Sequence, residues 1–211
     1  GEALIDFIGH QSNTLLNNTR DYHKYLGGSP TNVAMNSARL GLNSLIVATV
    51  GNDAFSEYIF KKLAGAGVNT STIRKIDYKP TSVIFVSKSE GTPDFIPFRA
   101  ADCEITENQI STETLLKTKI FHTTCFALSK KPAQSTILKK AEEANKLGCK
   151  LSIDINYAKK LWSTLKLDPK SWPVGCAHLG ALLVVFFGGS FRVGRPRPMD
   201  EEQVGSDATQ V

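Results

Sequence analysis

Three short stretches of this chain hold residues suited to chemistry on a small polar molecule. In Gly27-Gly28-Ser29-Pro30-Thr31-Asn32-Val33-Ala34 the paired glycines carry no Cβ, so backbone there can come close to a ligand. Pro30 suits the first turn of a helix, where its missing N–H costs nothing. The Asn32 amide can both donate to and accept from a sugar hydroxyl. The stretch reads as a cradle at a helix N-terminus. The other two stretches are acidic strand ends: Asp6 in an early apolar run, and Asp154 with Asn156 in a later one.

The elements that must position these residues are legible in outline. Ala3–Ile8 predicts a buried strand ending at Gly9. Residues 30–40 place Val33, Ala34, Ser37 and Ala38 at helical spacing, with Gly41 as the stop. Ser44–Val50 predicts the next strand. Asp53 follows the Gly51 turn as an N-cap for a helix faced by Phe55, Ile59, Leu63 and Ala66. This β-α-β-α order predicts a parallel sheet flanked by helices.

Residues 81–87 alternate, Glu90-Gly91-Thr92-Pro93 has turn chemistry, and 94–99 predicts a second short strand, so a hairpin outside the main sheet is expected. The β-α rhythm then resumes: a strand over 119–123, a helix faced by Ile137, Leu138, Ala141 and Ala144, and a strand over 150–155. Ligands of open α/β sheets bind beyond the carboxyl ends of the strands. Asp6, Gly27-Gly28, Asp154 and Asn156 all fall near that edge and point to one crevice.

The spacing from Gly27-Gly28 through Pro30, Asn32, Ala34 and Gly41 to Gly51 resembles the first signature of the ribokinase-like (PfkB) carbohydrate kinases. Gly1-Glu2-Ala3-Leu4-Ile5-Asp6-Phe7 is similar to the first strand of the fructokinase branch. Ser152-Ile153-Asp154-Ile155-Asn156-Tyr157, with Leu161-Trp162 behind it, resembles that branch's Asp-x-Asn-Tyr strand end. The resemblance covers residues 1–165. It implies a ribokinase-like, Rossmann-type α/β fold with a small β-sheet lid, built here from about residues 10–26 and 80–100. It also implies ATP- and magnesium-dependent phosphorylation of a sugar hydroxyl, and a homodimer through the lid.

On that resemblance the sugar-binding residues are Asp6, Gly27, Gly28, Asn32, Arg99 and Asn156, with Asp154 in support. Asp6 could accept two hydroxyls, although a polar strand end needs no ligand. Arg99 is equally readable as an exposed strand-end arginine, and Asp154 and Asn156 as caps of the next helix. Ala158 stands where the branch usually has an arginine, which weakens the case for an acidic sugar. The family's second signature, an Asp-Thr-x-Gly-Ala-Gly-Asp segment supplying an anion hole and the catalytic base, has no counterpart, so no catalytic residue is assigned. Residues 166–211 read as an atypical tail. Residues 181–187 are readable as a strand and 200–211 as disordered.

The expectation is therefore the sugar-binding part of a fructokinase-like enzyme, incomplete and without turnover by itself. The alternatives are an inactive sugar-binding fragment, and a 2-keto-3-deoxygluconate or nucleoside kinase of the same family. A sheet ending early would leave an apolar face open, so association or poor solubility is expected.

Composition narrows the partners. The formal charge of +5 is spread along the chain and gives little support to a nucleic-acid partner. Lys61-Lys62, Lys130-Lys131 and Lys139-Lys140 read as solvated helix faces. The apolar run 181–187 is far shorter than the roughly 20 residues of a membrane span. Cys103, Cys125, Cys149 and Cys176 show neither C-x-x-C pairing nor zinc-ligand spacing, so no metal site is expected and a reducing cytoplasm is. His122 reads as a satisfied core residue. His10, His23 and His178 have no nucleophile beside them in the sequence.

Overall fold

The computed structural model of the chain describes residues 1–88, 93–155 and the strand at 182–185. Three sheets are present among the described residues. The first has four strands in the order β2-β1-β5-β6: β1 (Leu4–Ser12), β2 (Tyr22–Gly27), β5 (Val83–Lys88) and β6 (Phe95–Phe98). β1 pairs antiparallel with β2 and parallel with β5, and β5 pairs antiparallel with β6. The second sheet joins β3 (Ala48–Gly51) and β4 (Ile73–Ile76) in parallel. The third is a parallel set of β7 (Ile120–Thr124), β8 (Lys150–Asp154) and β9 (Leu182–Val185). Four helices accompany them: α1 (Ser29–Arg39), α2 (Ala54–Gly65), α3 (Thr112–Leu116) and α4 (Ala133–Lys146).

Three apolar clusters among the described residues hold these layers. One gathers Ile5, Ala34, Ile46, Val50, Ile59 and Leu63 between β1, β3 and the first two helices. A second gathers Ile105, Leu128, Ile137 and Ile153 under α4. A third gathers Ile110, Leu115, Ala141, Ala144 and Leu151 between α3, α4 and β8. The α2 N-terminus forms as expected from Asp53. Its carboxylate accepts from the N–H groups of Phe55 and Ser56 at 3.1 and 3.0 Å, and Ser56 completes a capping box.

Several expectations need correction. Gly9 does not end the first strand: β1 runs on to Ser12, and Gly9 sits inside it because a Cβ there would lie 2.9 Å from Thr19 Cγ2. The β5–β6 hairpin is not separate from the first strand, since β5 pairs with β1 through Ile5↔Val83 to Ile8↔Val86. The strand expected over residues 44–50 is regular only at β3, preceded by an isolated bridge between Leu45 and Asn69.

Strand β4 was not foreseen, because Arg74 and Lys75 interrupt its apolar character. The short α3 carries too few turns to show a period. Leu138 is 43% exposed and Lys140 only 8%, the reverse of their expected faces. Lys140 lies along the helix with its ammonium paired to Glu143 at 2.9 Å. His122 is half satisfied: Nδ1 meets Ser152 Oγ at 3.0 Å, whereas Nε2 is buried with no partner among the described residues.

Cys103, Cys125 and Cys149 are buried. Among the described residues, no helix is long and apolar enough to cross a membrane. The boundary near residue 165, Asn156, Ala158, Cys176, His178 and the end of the chain beyond β9 lie outside the described residues.

Candidate functional site

The site is built where β1 passes the β2–α1 turn. Asp6 lies in mid-strand, paired with Tyr25 of β2 on one side and Ile84 of β5 on the other. Side chains alternate across a sheet, so Asp6, Tyr25 and Ile84 share a face. Gly27 lies against the Asp6 carboxylate: a Cβ at Gly27 would fall 2.5 Å from Asp6 Cγ and 2.6 Å from Oδ1. Asp6 is half-buried and accepts no hydrogen bond among the described residues. Burial pushes its carboxyl up from 3.8 to about 6. A desolvated carboxylate without a donor is costly unless something supplies one. Two hydroxyl groups would do so.

The turn beside it is held by two further acids. Gly28 adopts φ +100°, and a Cβ there would lie 2.4 Å from the carbonyl oxygen of Glu2, so glycine is required on both counts. Glu2 is buried and accepts from the Ser29 N–H at 3.3 Å and the Thr124 hydroxyl at 2.8 Å. Burial drives its carboxyl up to about 7, against the opposing pull of the adjacent amino group and the Thr124 bond. Asp154, also buried, accepts from the Ser29 hydroxyl at 2.6 Å. The positive end of α1 thus carries an acid from β8 and an acid from the start of the chain. Both acids are engaged there by Ser29.

Asn32 is exposed in the first turn of α1. It lies one turn from Ser29, on the same helix face, and its amide makes no hydrogen bond among the described residues. Asp6, Gly27, Gly28 and Asp154 are therefore linked in one contiguous arrangement, with Asn32 beside it.

Arg99 is placed differently. Its guanidinium pairs with Asp102, donates to the Phe126 carbonyl at 2.9 Å and to Ser129, and stacks 4.0 Å over the Phe126 ring. Glu2, Ser29 and Thr124 were not singled out from the sequence. The one signal for Glu2 was an acid inside an otherwise apolar opening run.

An open groove of about 480 Å³ lies elsewhere, lined by Asp53, Phe55, Pro80, Val83, Phe98 and Arg99. Val83 pairs with Ile5, one residue out of phase with Asp6, so this groove faces the other side of the sheet. It is not the Asp6 site.

A family model for pfkB family carbohydrate kinases matches residues 1–179. The chain belongs to that family. An ATP-dependent 6-phosphofructokinase of Thermoanaerobacterium thermosaccharolyticum is 35% identical over 162 residues, covering 77% of this chain and 50% of that relative. Fructokinase from Halothermothrix orenii superposes with a TM-score of 0.75 at 35% identity, over 82% of this chain and 61% of that one. A sugar kinase from Pyrococcus horikoshii, solved in complex with ATP, superposes with a TM-score of 0.73 at 31% identity, over 77% and 54%.

The fold is thus the ribokinase-like α/β fold of the pfkB sugar kinases. The chain spans about half the length of the curated relatives it matches. Among the described residues, no group of three or more His, Cys, Asp or Glu gathers to hold a metal ion. The α1 N-terminus is occupied by Glu2 and Asp154.

Proposed function

We propose that this chain is the sugar-binding portion of an ATP-dependent carbohydrate kinase of fructokinase type. Asp6 accepts two adjacent sugar hydroxyls, the Gly27-Gly28 backbone lets the ring approach, and Asn32 contacts a further hydroxyl. Asp154 supports the cradle through Ser29, and Asn156 follows it at the same strand end. The observation that carries this reading is the half-buried Asp6 carboxylate, without a donor and flush against Gly27.

ATP and magnesium belong to the reading through the family. No step of phosphoryl transfer is assigned to the described residues. The free buried thiols of Cys103 and Cys149 favour a reducing compartment such as the cytoplasm. Ile96 and Phe98 are exposed on one face of the four-stranded sheet, opposite to Asp6, and favour self-pairing there.

Isothermal calorimetry with fructose tests the sugar reading. Saturable binding that disappears in Asp6→Ala supports it. Absence of heat up to high millimolar sugar overturns it. Fructose 6-phosphate is the second ligand to titrate, because a 6-phosphofructokinase is among the relatives. With magnesium-ATP and sugar, the 211-residue chain alone releases no ADP. Sugar-dependent ADP release would show that it holds a base and a nucleotide site after all.

A further inference from the structure

We propose that Arg99 and Asp102 form a pivot that fixes the β5–β6 hairpin against the Asp6 site, with Arg99 a positioning residue and not a ligand contact. The proposal rests on the sugar-binding reading above. Val83 and Phe98 are the paired first and last residues of that hairpin, so Ser82 and Arg99 are its entry and exit. One carboxylate joins them: Asp102 accepts from Ser82 Oγ at 2.6 Å through Oδ1, and from Arg99 Nε at 2.8 Å through Oδ2. Ser82 Oγ in turn accepts from the Ala100 and Asp102 N–H groups at 2.9 and 3.2 Å. The base of the hairpin is closed by this knot.

Arg99 then ties the knot to the body of the protein. Its Nη1 reaches the Phe126 carbonyl and the Ser129 hydroxyl, in the segment that follows β7. That segment starts at Thr124, which holds Glu2, which holds the Ser29 N–H of the cradle. On the hairpin side, Ile84 stands directly beside Asp6, and Pro97 stands beside Ile84. A tilt at the base would therefore move the wall next to the Asp6 carboxylate.

The guanidinium of Arg99 is taken up by protein partners, although the residue also borders the open groove beside Phe98. The Arg99 and Asp102 side chains are 2% and 0% exposed, and a carboxylate, a carbonyl, a hydroxyl and a ring occupy the guanidinium. Buried ion pairs contribute little net stability compared with apolar replacements. What this one supplies is a fixed angle, because the planar fork engages its partners in one orientation that a lysine ammonium does not reproduce.

The test compares Arg99→Lys, Asp102→Asn and the double variant with the wild-type chain, by residue-resolved hydrogen exchange and fructose calorimetry. Each single variant should speed exchange in β5 and β6 while leaving α2 unchanged, and should weaken fructose binding about tenfold. The double variant should lose no more than either single one, since the two residues act as one unit. Weaker binding with unchanged hairpin exchange would make Arg99 a sugar contact and overturn the proposal. Faster exchange throughout the chain, with sugar affinity intact, would reduce the pair to general stability and overturn it too.

Should Arg99→Lys fail to fold, Ser129→Ala removes a single tether and must show the same local exchange. Should the wild-type chain bind no sugar, the functional reading falls. Hairpin exchange still decides the pivot: a local increase upholds it and no change refutes it.

Discussion

Ser29 donates its hydroxyl proton to Asp154 at 2.6 Å, linking residues 125 positions apart. The bond brings the first turn of α1 to the carboxyl end of β8, so cradle and sheet edge are set relative to each other. Asp154 is 6% exposed, and Ser29 is its sole side-chain donor among the described residues. Ser29→Ala should therefore cost about 1–3 kcal/mol, as expected when a buried acceptor loses its partner. Urea unfolding measures that loss, and fructose calorimetry should show weaker binding alongside it. Asp154→Asn keeps an acceptor oxygen and should cost less.

The two glycines of the turn separate stability from binding. Alanine at Gly28 meets the Glu2 backbone at 2.4 Å and must hold φ near +100°, so neither neighbour nor conformation can give. Gly28→Ala should lower stability by about 1–3 kcal/mol, the usual cost of such strain. Alanine at Gly27 meets the Asp6 carboxyl and Leu4 Cδ1, both 2.5 Å away, and both are side-chain atoms that can move aside. Gly27→Ala should therefore displace Asp6 and weaken fructose binding with a smaller fall in melting temperature. Thermal denaturation and calorimetry on the two variants distinguish these outcomes.

How far the sequence announced all this depends on the range of the interactions involved. Helices α1 and α2 were legible because their punctuation is local: Pro30 and Gly41 bound the first, and Asp53 caps the second. The meeting of Asp6, Gly27 and Asp154 does not come from strand ends on one sheet edge: Asp6 lies in mid-strand of the four-stranded sheet, Asp154 ends β8 of another, and the β2–α1 turn joins them through Gly27 and Ser29. The four-stranded sheet differs from the expectation because β1 serves two neighbourhoods, with its apolar start in the core and its length paired between β2 and β5. Nothing in a linear pattern marks that change. Arg99 illustrates the deeper limit. Its chemistry suits a polar ligand, but Asp102 and the Phe126–Ser129 segment occupy it, and the latter contacts span 27 and 30 positions. Glu2 escaped notice for the same reason, because its partners are Ser29 and Thr124.

Asp6 carries a trade between binding and stability that pH exposes. Burial raises its carboxyl to about 6 from 3.8, so the folded chain holds that proton more tightly than the unfolded one. Its ionisation therefore opposes folding above about pH 6, and the opposition fades as pH falls toward the unfolded value near 4. Asp6→Asn should stabilise the chain by on the order of 1–3 kcal/mol near pH 7.5 and by almost nothing below about pH 4, while abolishing fructose binding. Urea titrations at the two pH values check the first part. A gain of equal size at both would show that charge burial is not its cause.

Asp53 shows the opposite sign. Partial burial raises its carboxyl, but hydrogen bonds from the Thr81 N–H and hydroxyl and from the Ser56 and Phe55 N–H groups outweigh this and hold it below 3.8. The same carboxylate joins three elements. It caps α2, receives Thr81 at 2.7 and 2.8 Å ahead of β5, and through Thr81 Oγ1 reaches the Gly51 N–H at the end of β3. A depressed carboxyl contributes stability that is present above about pH 4 and lost as pH falls through the folded value. Asp53→Ala should cost about 1–2 kcal/mol near neutral pH, in the range of a lost N-cap, and progressively less toward about pH 3. Asn at this position keeps one acceptor, so Asp53→Asn should recover part of the cap but none of the pH dependence. Equal losses at both pH values would mean that Asp53 acts by shape alone. A loss confined to neutral pH would show that its charge ties β3, α2 and β5 together.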